Sequence, residues 1–201
     1  MTFFSFIRRI FGVETFTQPA KVQRAAHMEE TMVAVAEELV SERIRESHGP
    51  NQGPGIKRFW EATNYKDGYA MHEPWCAAAM CWIVREAAFR RFGLPPYPWR
   101  LPTSAAVNQW RKWAEDNRSH WQLLDPAKAT VEEGDIVGWD FNGTKLGGTH
   151  IGLAISDERR DGTFDTAEGN TSPAGSRDGG GFYELHHRTR KSAIFIIRFI
   201  G

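Results

Sequence analysis

The chain has 201 residues, which is enough to bury one hydrophobic core and short for two independent domains. Apolar residues make up 41% of it and charged residues 25%, a balance that excludes a disordered or collagen-like chain. Lysine plus arginine and aspartate plus glutamate number 25 each, so the chain has no overall electrostatic attraction to nucleic acid, and we expect no nucleic-acid partner.

The first residues form a short amphipathic segment. Residues 1–12 place large apolar side chains at helical spacing, with Arg8 and Arg9 on the other side. This pattern favours a terminal segment packed on the domain over one that contacts a membrane surface. The sequence contains no apolar run of membrane-spanning length and no standard secretory signal peptide, which predicts synthesis in the cytoplasm. We predict that residues 1–19 are an extension and that residues 20–201 form a single domain.

Helical patterns occupy the first part of that domain. Apolar periodicity predicts a long helix from about Ala25 that stops near His48, and a short aromatic helix follows over Ile56–Tyr65. Residues 75–92 predict a buried helix that ends at Gly93, and another helix begins near Thr103 or Ser104.

Strand patterns replace helical ones beyond Gly134. Short apolar segments alternate there with turn residues such as glycine, asparagine and aspartate. Helices followed by a series of short strands predict an α+β fold, with the helices packed on an antiparallel sheet. The predicted strands are Asp135–Asp140, Thr149–Ser156, Phe164–Glu168, Gly181–His187 and Ala193–Ile200.

Cys76 is a candidate nucleophile because it begins a predicted helix. Free backbone N–H groups and the helix dipole stabilise a thiolate there, and they also stabilise the oxyanion that forms when a thiolate attacks an amide. Position alone leaves open the common alternative, a small buried hydrophobic residue. Cys81 lies deeper in the same helix and fits that alternative better. Five residues apart on one helix, the two cysteines point in different directions, so we expect free thiols and folding in a reducing compartment.

A thiolate nucleophile requires a neighbouring imidazole. Of seven histidines, His150 is the one in an apolar strand whose glycine neighbours leave space around it. A structural histidine satisfied by a neighbouring strand is the alternative. The adjacent His186 and His187 point to opposite faces of a strand and cannot bind one zinc ion.

The next strand supplies polar residues that could orient the imidazole. A hairpin from His150 would bring Glu168 or Asn170 beside it, and either an acid or an amide can fix the ring's tautomer. Ordinary turn chemistry is the alternative for both residues.

Four segments together resemble the CHAP family of cysteine, histidine-dependent amidohydrolases and peptidases, and the resemblance extends from about Glu37 to the C-terminus. The segments are Glu73-Pro74-Trp75-Cys76-Ala77-Ala78, Gly134-Asp135-Ile136-Val137, Thr149-His150-Ile151-Gly152 and Glu168-Gly169-Asn170-Thr171. The upstream Asn51 segment and the downstream Arg188-Thr-Arg also resemble this family. The resemblance implies a papain-like fold, with Cys76 as nucleophile, His150 as base, Glu168 as third member and Asn170 as a supporting or alternative member.

The same resemblance implies peptidoglycan as substrate. We therefore expect a hydrolase that cleaves an amide bond, either as an N-acetylmuramoyl-L-alanine amidase or as a stem or cross-bridge endopeptidase. A phage-type endolysin and a secreted effector, which would have an immunity or delivery partner, both fit, and either would act on the wall after release or secretion. A non-catalytic wall-binding or adaptor domain is the alternative. Asp67 and Glu73 are too sparse for a calcium loop, so no metal and no cofactor are expected.

Overall fold

A computed structural model describes residues 27–143 and 147–201. The predicted extension at residues 1–19 and its amphipathic segment lie outside the described residues. The helices are α1 (Met28–Ser41), α2 (Pro54–Trp60), α3 (Cys76–Phe92) and α4 (Trp110–Asp116). The strands are β1 (Trp121–Leu124), β2 (Ile136–Trp139), β3 (His150–Ala154), β4 (Thr163–Thr171), β5 (Gly181–Thr189) and β6 (Ala193–Phe199).

The six strands form one antiparallel sheet in the order β1-β6-β2-β3-β4-β5. This confirms the α+β fold and the antiparallel sheet expected from the sequence. The five predicted strands are present, with ends that differ by at most three residues. β1 was not predicted, because it has four residues and forms only by pairing with β6, which lies far along the chain.

Helices α1 and α3 pack on one face of the sheet and bury most of the core. α1 contributes the apolar side chains of Met28, Met32, Val35 and Leu39, which recur at helical spacing and are at most 2% exposed. The first half of α3 is buried on all sides, and its three alanines from Ala77 onward let it approach the strands closely. No helix in the described part of the chain is both long and apolar enough to cross a membrane.

The first helix ends earlier than the sequence pattern predicted. α1 stops at Ser41 and not near His48, because the backbone turns at Arg43, whose φ is 53°. The turn carries Ile44 into the core and lets Arg45 form a β-bridge to Gly181, the first residue of β5. Tertiary contacts of Ile44 and Arg45 therefore override the local helical pattern.

The helix predicted from Thr103 or Ser104 also begins later, at Trp110, after a 3-10 turn over Val107–Gln109. The Ser104 carbonyl accepts a hydrogen bond from the indole N–H of Trp110 at 3.2 Å, and the Thr103 carbonyl accepts one from the backbone N–H of Asn64 at 2.8 Å. These contacts hold the segment in a non-helical form beside α3.

Candidate active site

Cys76 is the first residue of α3 and lines a cavity of about 530 Å³. Its side chain is largely buried, with the residue 4% exposed. The preceding Trp75 donates its indole N–H to Glu46 at 3.1 Å and stacks on Phe59 with ring centroids 5.6 Å apart. Because the N–H groups of the first helical turn have no partner within the helix, the Cys76 position can stabilise negative charge.

The loop before Cys76 is fixed by hydrogen bonds from an earlier loop. The Asn51 side-chain amide donates to the His72 carbonyl at 2.7 Å, and the Gln52 amide donates to the Tyr69 carbonyl at 3.1 Å. The backbone N–H of Glu73 then donates to the Gly68 carbonyl at 3.0 Å. These contacts set the direction in which the chain enters α3, and so they position the thiol.

Cys81 has a different environment from Cys76. It is fully buried, its thiol donates to the Ser104 carbonyl at 3.5 Å, and burial raises its pKa well above the usual range. Neither cysteine forms a disulfide. Cys81 is therefore a protonated core residue at neutral pH.

His150 is the first residue of β3 and is completely buried. Its Nε2 lies 2.8 Å from Oε2 of Glu168. Its Nδ1 is buried and has no partner of ordinary hydrogen-bond geometry among the residues described, while the Cys76 side chain interacts with the imidazole. Since Glu168 occupies Nε2, Nδ1 is the nitrogen left for the thiol, and the structure brings Cys76, His150 and Glu168 together.

Gly152 makes the contact between His150 and Glu168 possible. The register of β3 and β4 pairs Leu153 with Ala167, which places Glu168 opposite Gly152. A Cβ atom on Gly152 would lie 2.5 Å from Cγ of Glu168, closer than real side chains approach. The Glu168 side chain therefore lies across the space that the glycine leaves and reaches His150 diagonally.

A second charged residue holds Glu168 in place. Arg188 of β5 donates to Oε1 of Glu168 from Nε at 2.8 Å and to Oε2 from Nη2 at 2.7 Å. Thr166 donates to Oε1 at 2.6 Å. The sequence segment that resembled the family contains Arg188, but no role was predicted for it. A buried carboxylate beside a histidine needs a cation, and that requirement could have indicated Arg188 from the sequence.

Two aromatic rings and a loop surround Arg188. Its guanidinium carbon lies 5.3 Å from the centroid of Trp139 and 5.1 Å from that of Phe141. The same two rings lie 6.1 and 5.8 Å from the imidazole of His150. Arg188 also donates to the Gly175 carbonyl in the β4–β5 loop at 3.0 Å. The two cationic groups therefore share an aromatic wall that covers them from solvent.

These contacts determine the charges of Glu168 and His150. Burial alone raises the pKa of Glu168, but hydrogen bonds from His150 and Arg188 outweigh it and lower the pKa to about 2. Burial alone lowers the pKa of His150, but interactions with Cys76 and Glu168 outweigh it and raise the pKa to about 9. Glu168 is consequently an anion at neutral pH, and it favours the charged form of the imidazole beside it.

Asn170 lies on β4 two residues beyond Glu168 and is 2% exposed. Its backbone is in the left-handed region with φ 57°, where the register of β4 and β5 shifts. Its side-chain amide donates to the Arg177 carbonyl at 3.5 Å, and its Oδ1 has no partner among the described residues. The side chain that hydrogen-bonds the imidazole is thus Glu168.

The other histidine candidates do not form a metal site in the described part of the chain. His186 and His187 are exposed, and their ring centroids lie 6.3 Å apart. His186 lies 3.4 Å from a carboxylate oxygen of Asp165. Within residues 27–143 and 147–201, no group of three or more His, Cys, Asp or Glu side chains is placed to hold a metal ion.

No protein-family model matches the chain, and no curated protein matches it either. Among solved structures, the crystal structure of a wild-type endolysin, LysIME-EF1, is similar to it, with a TM-score of 0.45 and 18% sequence identity. The similarity covers 85% of this chain and 63% of that one, so the chain spans less than two thirds of the length of that endolysin.

Proposed function

We propose that this chain is a cysteine hydrolase that cleaves an amide bond in peptidoglycan. One observation carries the proposal: His150 is hydrogen-bonded to Glu168 through Nε2 at 2.8 Å and leaves Nδ1 for Cys76 at the start of a helix. Nucleophile, base and orienting acid are the parts that amide hydrolysis by a thiol requires.

In the proposed reaction, the proton of the Cys76 thiol already lies on Nδ1 of His150 before substrate binds, so that the two residues form a thiolate–imidazolium pair. The thiolate attacks the carbonyl carbon of the amide, and a tetrahedral oxyanion forms. When this intermediate collapses, the carbon–nitrogen bond breaks, and His150 passes the proton to the leaving amine. A thioester joins the acyl group to Cys76. Water then attacks the thioester while His150 takes one of its protons, and the carboxylic acid and the free thiol are released.

The oxyanion is stabilised by the N-terminus of α3. The backbone N–H of Cys76 lies in the first turn of this 17-residue helix and is free of intrahelical bonding. Donors of this kind typically contribute about 10²- to 10³-fold to kcat.

Glu168 and Arg188 have roles in orientation. The Glu168 carboxylate accepts a hydrogen bond from Nε2–H of His150, so that Nδ1 is the nitrogen that faces Cys76 and carries the transferred proton. Arg188 fixes the carboxylate and keeps it ionised. The charge of the imidazolium that forms during the reaction is stabilised without a change in the position of either residue.

Peptidoglycan is proposed as the substrate because four segments of the sequence, including those with Cys76, His150 and Glu168, resemble the CHAP family. The cavity supports a peptide substrate, since 530 Å³ is in the usual range for sites that enclose several side-chain-sized groups. Mass spectrometry of the soluble products distinguishes the two amide classes: an amidase separates the muramic acid from the peptide, while an endopeptidase creates new peptide termini.

Replacement of the nucleophile tests the proposal directly. Cys76→Ala is expected to abolish the release of soluble fragments from purified cell walls, and Cys81→Ala should retain release because Cys81 is a core residue outside the cavity. If the folded Cys76→Ala protein still releases fragments, Cys76 is not the nucleophile. Binding of wild-type protein to walls without any release would favour the non-catalytic wall-binding alternative.

A further inference from the structure

The cavity beside Cys76 has an uneven distribution of charge. Of the described residues that line it, Glu73 is the only one with a carboxylate, and none is a lysine, arginine or histidine. The other polar groups on the walls are neutral amides and hydroxyls, such as those of Asn64, Asn108 and Thr149. Among the described lining residues, Glu73 therefore supplies the one carboxylate, and no cationic side chain accompanies it.

The Glu73 carboxylate has no partner within the described part of the chain. Its side chain is exposed and makes no hydrogen bond or ion pair with these residues. Several other carboxylates of the protein are paired with arginine, including Glu42 with Arg58 and Glu158 with Arg190. With no partner among residues 27–143 and 147–201, the Glu73 carboxylate is available to a cationic group of a ligand.

Glu73 is also held close to the reacting thiol. It precedes Cys76 by three residues, so the two Cα atoms are separated by at most about 11 Å. The backbone N–H of Glu73 donates to the Gly68 carbonyl at 3.0 Å, and Pro74 restricts the backbone of Glu73, which precedes it. The backbone of Glu73 is therefore held at the cavity wall, and from there the side chain lies within reach of a substrate bound beside Cys76.

The neighbouring wall suits an aliphatic chain that ends in a cation. Trp60 and Tyr65 pack edge to face with centroids 6.2 Å apart, and Tyr65 remains 41% exposed. Pro74 and Val107 add apolar surface to the same cavity. Methylene groups can pack on this surface, and an aromatic face attracts an ammonium ion.

We propose that Glu73 forms a subsite for a protonated primary amine of the substrate, close to the amide that is cut. The substrate class is then a wall peptide that carries a free amine on a side chain or at an N-terminus. This inference rests on the proposed function, because it takes the cavity beside Cys76 as the place where substrate binds. A partly desolvated ion pair with a hydrogen bond should change kcat/KM by about tenfold.

Chemical blocking of the amines tests the subsite. One batch of purified peptidoglycan is divided, and the amines of one half are acetylated with acetic anhydride. The wild-type protein is expected to release fragments from the untreated wall about ten times faster than from the acetylated wall. Glu73→Gln should act on the untreated wall about ten times more slowly than the wild type and should lose this preference. The control Glu37→Gln changes an exposed carboxylate on α1 that does not line the cavity and should behave as the wild type.

A binding measurement separates the subsite from catalysis. Cosedimentation of Cys76→Ala protein with the two wall samples should show tighter binding to the untreated wall, and the added Glu73→Gln change should remove the difference. If the Glu73→Gln and wild-type proteins show the same preference for untreated over acetylated wall, in fragment release or in binding, Glu73 does not form an amine subsite. If the wild-type protein releases no fragments but its preference in binding depends on Glu73, the result supports the amine subsite and contradicts the proposed hydrolysis.

Discussion

Arg188 and Glu168 form a bidentate ion pair in which the guanidinium of β5 donates to both carboxylate oxygens, at 2.8 and 2.7 Å. The carboxylate is completely buried and the Arg188 side chain is 14% exposed. Oε2 of the same carboxylate lies 2.8 Å from Nε2 of His150. The residue that orients the proposed base is therefore itself oriented by a second residue.

Loss of this arginine should change the acid limb of the pH profile. In Arg188→Met, the burial that raises the pKa of Glu168 is no longer opposed by Arg188, and His150 and the Thr166 hydroxyl remain, so the carboxylate becomes protonated at a higher pH. We expect kcat/KM to fall by about tenfold or more at neutral pH, since a buried charge has lost its partner. The acid limb, measured as kcat/KM between pH 4 and 7, should move upward by about one unit or more.

A nearby arginine provides a matched control for that experiment. Arg190 donates from Nε to both oxygens of the largely buried Glu158, at 2.9 and 2.8 Å, but neither residue contacts the site. Arg190→Met should lower thermal stability and leave the pH profile in place. If both variants show the same unshifted profile, Arg188 has only a structural role.

Gly152→Ala tests the space that Glu168 occupies. The new methyl group would lie 2.5 Å from Cγ of Glu168, so the carboxylate must move away from His150. Because small displacements of an orienting group are costly, we expect a loss of about 10²-fold in kcat/KM. Gly180→Ala is the control, since its nearest neighbour, Glu46, would be 4.0 Å from the added atom. If the Gly152→Ala protein has normal activity, the activity does not depend on the placement of the Glu168 carboxylate in the space beside Gly152.

Glu168 and His150 should make the stability of the fold depend on pH in two ranges, one acidic and one alkaline. The pKa of Glu168 is lowered from 4.5 to about 2, so its contribution to folding is present above about pH 4.5 and is lost as the pH falls toward 2. The pKa of His150 is raised from 6.5 to about 9, so its contribution is present below about pH 6.5 and is lost as the pH rises through 9. The melting temperature should be highest between these ranges, and Glu168→Gln should flatten the dependence on both sides. If the melting temperature of Glu168→Gln depends on pH as steeply as that of the wild type, other titratable groups cause the dependence.

The two cysteines should differ in reactivity toward iodoacetamide near neutral pH. Cys76 lies at a helix start beside His150 and lines the cavity, whereas Cys81 is inaccessible and burial raises its pKa. Peptide mapping by mass spectrometry should find the label on Cys76 first, and His150→Ala should slow that labelling. Equal slow labelling of both cysteines in the wild type would contradict an activated thiol.

The helical and strand patterns were sufficient to predict the fold class and most elements. The apolar first half of α3 indicated a buried helix, and the alternation beyond Gly134 indicated strands, because both signals are local. The early end of α1 could not be predicted in this way, since it depends on where Ile44 and Arg45 find partners in the folded chain. The same reason applies to β1, whose partner is β6.

The site was predictable in its residues but less so in its geometry. Residue type and position made Cys76 and His150 candidates and left Glu168 and Asn170 as alternatives, and the resemblance to the CHAP family implied their roles. The structure brings Cys76, His150 and Glu168 together. The choice of Glu168 as the contact of His150 depends on the strand register and on the missing side chain of Gly152. The contribution of Arg188 depends on β5 lying beside β4, which is a property of the whole sheet.

The position of β6 in the sheet has a consequence for how the protein is made. β6 follows the other five described strands in the sequence, yet it lies between β1 and β2 and hydrogen-bonds to both. A nascent chain that lacks residues 193–199 cannot join β1 and α4 to the strand that leads to His150. The sheet is therefore completed after these residues leave the ribosome, through contacts of long sequence separation, which favours slow folding.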